Sequence, residues 1–256
     1  MCLIIHKPKG INLPSRKIFK NANQNNPDGI GIMISTGKNV HIIKGFFSVK
    51  KLFKRLYSLN NFYGNLKDYE MVFHFRLATH GKVKPDNCHP FPLSSNINDL
   101  QKIEIKCQAG IAHNGILSFI EADKILSDTQ IFIRDFIGHF TFADFKNERI
   151  YKLIEKLIEG DKIIILNYDG ETIKFGNWIE EKGLFFSNYT FQYEKTFFYE
   201  SDQFTSDGFS WCDYEERCEG CNRWEDTKRL TTTPYGRLCE MCIYELGLSF
   251  ERLSKQ

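Results

Sequence analysis

The sequence predicts an α+β fold, and three observations carry that expectation. Segments with apolar residues at helical spacing alternate with short apolar runs joined by Gly-containing turns, the pattern of helices lying over antiparallel strands. With 256 residues, 42% of them hydrophobic, the chain is long enough for one full catalytic domain and a small appendage. Four of its eight cysteines crowd between positions 218 and 242, which marks the appendage as a separate C-terminal module.

A first helix is expected over 14–25, opened by Pro14 and placing Ile18, Phe19 and Ala22 on one face. Asn26-Pro27-Asp28-Gly29 stops it. The runs GIGIMIS and NVHIIKGFF flank Thr36-Gly37-Lys38 and read as a hairpin. A second helix over 48–59 carries Val49, Leu52, Phe53 and Leu56. Strands are expected over 70–78 and 103–112, separated by a Pro-, Asn- and Ser-containing loop over 84–98. After Asn114-Gly115 the pattern turns helical, with Ser127-Asp128 as the cap of QIFIRDFIGHF, and ERIYKLIEKLIEG forms another helix ending at Gly160. Two or three strands follow over 162–193, the first two joined by a turn at Asp169-Gly170.

Charge argues against several function classes. With 34 basic against 32 acidic side chains the net charge is +2, so no global field attracts a polyanion or a membrane surface. At the N-terminus an apolar run of only four residues precedes a charged segment, which fits neither a signal peptide nor a spanning helix, and a cytoplasmic protein is expected. In that compartment cysteines serve catalysis and metal binding rather than disulfides.

Cys2 is the first candidate. Removal of the initiator Met would put a thiol and a free α-amine on one residue, and an amine with a pKa of roughly 7.7–8.0 is matched to take a thiol proton and return it to a leaving group. A cysteine in a first strand is otherwise an ordinary buried residue. The rest of the chain alters that reading through five strings in order: NPDGIG at 26–31, FRLATHG at 75–81, HPF at 89–91, AHNG at 112–115 and SDT at 127–129. Behind an N-terminal Met-Cys, over about residues 2–190, they resemble the class II glutamine amidotransferase domain.

The resemblance implies a four-layer αββα N-terminal-nucleophile hydrolase sandwich over 2–195; the polar, Ser-rich composition after it and the cysteine spacing mark a linker over 196–211 and a C-terminal module over 212–256. It implies that Cys2 is the nucleophile, that Arg76 binds the α-carboxylate of L-glutamine, and that Thr79 and His80 line its pocket. By the same carry-over Asp128 accepts the α-ammonium, and Asn114 and Gly115 form the oxyanion hole through a side-chain amide and a backbone N–H. Taken alone, Arg76 could be a surface arginine, Asn114-Gly115 a hairpin turn, Ser127-Asp128 a helix cap and His89-Pro90-Phe91 a packing element. His6, His41, His74 and His139 are expected to be structural or exposed. The chain departs from the family at Leu77, where an aromatic residue is frequent, and its length leaves no room for an ammonia-consuming synthase domain, so a separate partner protein is expected.

Cys218-x2-Cys221 and Cys239-x2-Cys242, 17 residues apart, have the spacing of a structural four-thiolate zinc site. Cys212 falls outside that spacing. Residues 213–256 hold 7 basic and 9 acidic side chains, which disfavours nucleic acid, although the loop over 222–238 is locally +2. A protein-docking role is the preferred reading. Two rival functions remain: a stand-alone γ-glutamyl or other amide hydrolase, and a zinc-ribbon binding protein whose enzyme-like domain is non-catalytic.

Overall fold

A computed structural model describes residues 2–78, 83–121 and 126–192, together with 215–217, 224–226, 230–233, 236–239 and 242–243. The expected linker over 196–211 lies outside the described residues. In chain order the strands up to residue 114 are β1 (Leu3–Lys7), β2 (Ile30–Ser35), β3 (Val40–Phe46), β4 (Met71–Phe75), β5 (Phe91–Pro92), β6 (Glu104–Cys107) and β7 (Ala109–Asn114). They are followed by β8 (Lys162–Asn167), β9 (Thr172–Phe175), β10 (Ile179–Glu181) and β11 (Leu184–Phe186). The helices are α1 (Arg16–Asn25), α2 (Val49–Tyr63), α3 (Ile97–Gln101), α4 (Asp128–Phe132) and α5 (Glu148–Leu157).

One antiparallel sheet has the order β10-β11-β1-β4-β2-β3-β6 and the other β5-β7-β8-β9. Because successive side chains of a strand point to opposite faces, each sheet feeds two cores. Leu3, Ile5, Phe73 and Phe75 pack against Phe19 of α1 and Leu52 and Leu56 of α2. From the opposite face of the same sheet, Ile4, Met33, Ile42 and Val72 meet Ala112, Ile164 and Leu166 of the second sheet. The outer face of that second sheet carries Phe91, Ile111, Ile163 and Ile165 onto Phe132 and Ile154. Helices, sheet, sheet and helices therefore stack in that sequence, a mixed α+β arrangement compatible with the expected N-terminal-nucleophile sandwich. Strands covered on both faces read as unbroken apolar runs, which explains Leu3-Ile4-Ile5 of β1 and the IGIMI of β2. Each fully buried Ile, Leu or Phe in them stabilises the fold by roughly 1.5–3 kcal/mol.

Local signals account for the helix ends. The Ser15 hydroxyl accepts from Ile18 N at 3.3 Å, so α1 begins after Ser15 and the expected start at Pro14 is two residues early. Ser127 caps α4 in a reciprocal box with Gln130, and α4 runs on as a π-helical segment, Ile133–Ile137. The clearest correction concerns the single strand expected over 103–112. It is two strands in different sheets, β6 pairing with β3 and β7 with β8, and the chain changes sheets at Gln108. Burial shows why: β6 is an edge strand with alternating exposure, whereas β7 is buried throughout. Strand-like composition on both sides of Gln108 does not distinguish one long strand from two short ones that change layer.

Beyond residue 192 the described pieces are two hairpins, β12 (Glu215–Arg217) with β13 (Trp224–Asp226), and β14 (Leu230–Thr233) with β15 (Gly236–Cys239).

Candidate active site

Strand register brings the candidate residues together. Leu3 of β1 lies opposite Phe75 of β4, so the residues before Leu3 and after Phe75 emerge side by side at one end of the sheet. There the Cys2 thiol accepts the Leu77 N–H at 3.4 Å and faces the Leu77 carbonyl at 3.6 Å. Burial pushes the Cys2 thiol up from its ordinary value, and the Leu77 N–H and the Arg76 charge act in the opposite direction without cancelling it. A thiol in that state is protonated near neutral pH and needs a base before it can attack.

The segment after β4 is held from outside. Arg76 N donates to Gly29 O at 2.8 Å, Asp28 N to Arg76 O at 3.0 Å, and Ala78 N to the Asp28 carboxylate at 2.8 Å. The Asn26-Pro27-Asp28-Gly29 turn thus braces Arg76, whose side chain is buried to 5% exposure.

β7 supplies the facing wall. Its His113 bonds the Thr129 hydroxyl through Nδ1 and the Asp161 carboxylate through Nε2, both at 3.0 Å, and its carbonyl accepts from His74 Nε2 at 3.1 Å. Asp161 packs directly on Gly115, where an added Cβ would fall 1.8 Å from the carboxylate carbon, so only glycine fits beside that anion. Asp128 opens α4, accepting the Leu117 N–H at 3.2 Å through Oδ2 and the Thr129 N–H at 2.8 Å through Oδ1.

A cavity of about 550 Å³ lies among these groups, walled by Cys2, Arg76, His89, His113, Gly115 and Asp128 together with the backbone around Leu77 and Leu117. Five of the candidate-bearing segments therefore converge on one opening. Asn114 stands behind the wall, its amide Nδ2 donating to Ser187 Oγ at 2.8 Å. Thr79 and His80 lie outside the described residues.

His89 has an unusual setting. Its loop crosses β2 at Gly31, where a Cβ would sit 2.0 Å from the His89 carbonyl oxygen. The ring stacks on His74 at 4.3 Å and meets Phe91 edge-on at 4.6 Å, and neither ring nitrogen has a hydrogen-bond partner among the described residues. Burial, with the neighbouring His74, His113 and Arg76, drives its pKa well below the ordinary histidine value, and burial takes His74 down to about 3. Both imidazoles are neutral at pH 7.

Sequence reasoning missed Asp161, Ser187 and Asn188. Asp28 falls within one of the quoted strings but had no role there. Asp161 precedes a strand and Ser187 follows one, positions without a local signal of contact with residues 46 or more positions away.

In the C-terminal region, Cys239 ends β15 and Cys242 lies in the next short helical pair; both are buried. Cys218 and Cys221 lie outside the described residues. Among the described residues no group of three His, Cys, Asp or Glu side chains could hold a metal. Nor is any described helix long and apolar enough to cross a membrane.

No family model matches the chain. Over 138 residues it is 30% identical to an amidophosphoribosyltransferase of Methanocaldococcus jannaschii, covering 53% of this chain and 25% of that enzyme. The chain thus spans about a quarter of the length of this curated relative.

Proposed function

We propose that the chain is a glutamine amidotransferase-type enzyme that hydrolyses L-glutamine to glutamate and ammonia through a Cys2 thioester. One observation carries the reading: Cys2, Arg76, Gly115 and Asp128, from four separate segments, wall a single cavity of about 550 Å³. The likeness to amidophosphoribosyltransferase, a class II glutamine amidotransferase, supports the same reaction class.

In this mechanism Met1 is removed and the Cys2 α-amine takes the thiol proton. The thiolate attacks the side-chain amide carbon, and the oxyanion so formed is met by the Gly115 N–H and the Asn114 amide. Each such donor stabilises the transition state by roughly 2.7–4 kcal/mol. Collapse breaks the C–N bond, the leaving nitrogen takes the proton held by the α-amine, and ammonia departs. Water then attacks the thioester, releasing glutamate and returning the proton to sulfur. Arg76 suits the α-carboxylate because a guanidinium gives two parallel charge-assisted hydrogen bonds, and Asp128 suits the α-ammonium. Thr79 and His80 complete the glutamine pocket. Ammonia passes to an acceptor on a partner protein.

The domain over 2–195 carries this chemistry, and the module over 212–256 holds a structural zinc through Cys218, Cys221, Cys239 and Cys242. Four thiolates suit zinc and leave no open coordination position, so the ion would fix the fold of the module and take no part in the reaction. Docking of a protein is the role favoured for this module, whose net charge of −2 over 213–256 disfavours nucleic acid.

The test measures glutamate and ammonia released from L-glutamine by the Met-processed protein. Activity is expected in the native chain and a loss of at least about a thousandfold in Cys2→Ala. Equal turnover by both proteins would remove the thioester, and native activity on other γ-glutamyl amides but not on glutamine would replace the substrate.

A further inference from the structure

Ser187 follows β11 and is 3% exposed. Its N–H donates to Ile4 O at 3.0 Å, and its hydroxyl oxygen accepts the Ile4 N–H at 2.9 Å. The Asn114 amide meets the same hydroxyl at 2.8 Å. The next residue, Asn188, donates through Nδ2 to the Cys2 carbonyl at 2.6 Å, while its Oδ1 accepts from the backbone and hydroxyl of Thr190. Two consecutive residues therefore touch the candidate nucleophile, the strand that carries it and the candidate oxyanion amide.

Hydrogen-bond bookkeeping at Ser187 says more. A hydroxyl offers one proton and two acceptor positions. With Asn114 Nδ2 as donor, both acceptor positions are filled, the Ser187 proton has no acceptor in these contacts, and the buried Asn114 Oδ1 has no partner. Turning the amide over leaves its heavy-atom outline unchanged. The Ser187 O–H then donates to Oδ1 at the same separation, and the unpartnered edge of the amide becomes Nδ2. A buried unpaired polar group remains in either arrangement, but in the second it is a donor, the kind of group a developing oxyanion satisfies.

We infer that Ser187 is a positioning residue that sets the Asn114 amide with Nδ2 free, and that Ser187-Asn188 clamps this donor in register with Cys2. The inference rests on the glutaminase reading for its purpose, but the orientation itself is independent of substrate. Ser187 acts by ordering a group that reacts, so its removal lowers turnover without altering glutamine capture by Arg76 and Asp128.

The experiment has two arms. In the first, Ser187→Ala, Ser187→Thr, Asn114→Ala and the double variant Ser187→Ala with Asn114→Ala are compared for glutamine hydrolysis and for alkylation of Cys2 by iodoacetamide, which needs no oxyanion donor. Ser187→Ala is expected to lower kcat about 10- to 100-fold with KM within about twofold, the cost of misplacing an aligned group. Its alkylation rate stays native, Ser187→Thr recovers part of kcat, and the double variant is no slower than Asn114→Ala. An unchanged kcat in Ser187→Ala overturns the proposal, as does a double variant in which the two losses multiply. So does parallel loss of alkylation, which would assign Ser187 to the seating of β1 alone. The second arm reads orientation in the substrate-free native protein, by nuclear Overhauser contacts from the Asn114 side-chain amide protons. Strong contacts to the Ser187 methylene overturn the proposal even if glutamine proves not to be a substrate; weak ones uphold it.

Discussion

Two cavities of nearly equal size lie at opposite ends of β7, and they differ in how their polar groups are satisfied. The one beyond Gly115 encloses about 550 Å³; the other, beside Gln108, Ala109, Phe142, Lys146 and Tyr168, encloses about 510 Å³. At the second, Lys146 pairs with Glu171 at 2.5 Å, Tyr168 N donates to Gln108 O at 2.9 Å, and Asn167 N donates to Glu171 O at 2.9 Å. None of its lining side chains holds a buried polar atom without a partner among the described residues. At the first, His89 in the wall and His74 and Asn114 behind it all hold such atoms. Volume does not distinguish the two hollows; the unpartnered buried polar atoms gathered at the first do, and each of them costs the fold free energy.

The largest expected effect comes from closing that difference at Gly115. In Gly115→Ala the new methyl must displace the Asp161 carboxylate that His113 holds. Glutamine turnover should fall by about a hundredfold or more, as for loss of an oxyanion donor, with a stability cost of roughly 1–3 kcal/mol from overpacking. Steady-state assay and urea unfolding of the variant measure the two quantities. A variant with native turnover would separate Gly115 from the chemistry.

A smaller effect follows from the histidines. His74 titrates at about 3 in the fold and His89 well below its ordinary value, while both would titrate near 6.5 when unfolded. Their folded values are depressed, so the unfolded chain binds more protons between pH 6.5 and about 3. The stability they contribute is fully present above 6.5 and is lost as pH falls through that window. The slope approaches about 1.4 kcal/mol per pH unit for each histidine. Urea unfolding between pH 7 and 4 should show this, and His89→Gln should remove one proton from the slope. An identical slope in the variant would mean that His89 is already protonated in the fold.

The smallest effect is expected at the other end of β7. Lys146 and Glu171 are about half exposed, and solvent screening leaves such a pair within roughly 0–1 kcal/mol. Lys146→Met should alter unfolding free energy by no more than that and leave turnover within twofold. A tenfold loss of turnover there would make the second cavity part of the machinery and erase the contrast.

Sequence signals reached these regions unequally. Hairpins, helix faces and the Ser127 cap were legible because each is local: a turn glycine, an apolar stripe or a hydroxyl three residues from its N–H. Cys2, Arg76, Gly115 and Asp128 were legible only through motif strings, whose order implied a meeting that periodicity could not. Asp161, Ser187 and Asn188 were not legible, since a Ser-Asn pair after a strand carries no mark of a partner 73 or 186 positions earlier. The split of 103–112 into β6 and β7 escaped for a related reason: which sheet a strand joins is decided by its neighbours, and hydropathy alone does not name them.

The placement of β1 also bears on synthesis. β1 is made long before the strand that completes its seat: it lies between β4 and β11, and β11 comprises Leu184–Phe186. At about 5–20 residues per second the nascent chain waits roughly 10–40 s for the second of those neighbours. Throughout that wait one edge of an apolar strand, Leu3–Lys7, stays unpaired and the Cys2 carbonyl beside it lacks its Asn188 contact. The strand that leads into the candidate site is thus closed only after about 180 further residues have been made.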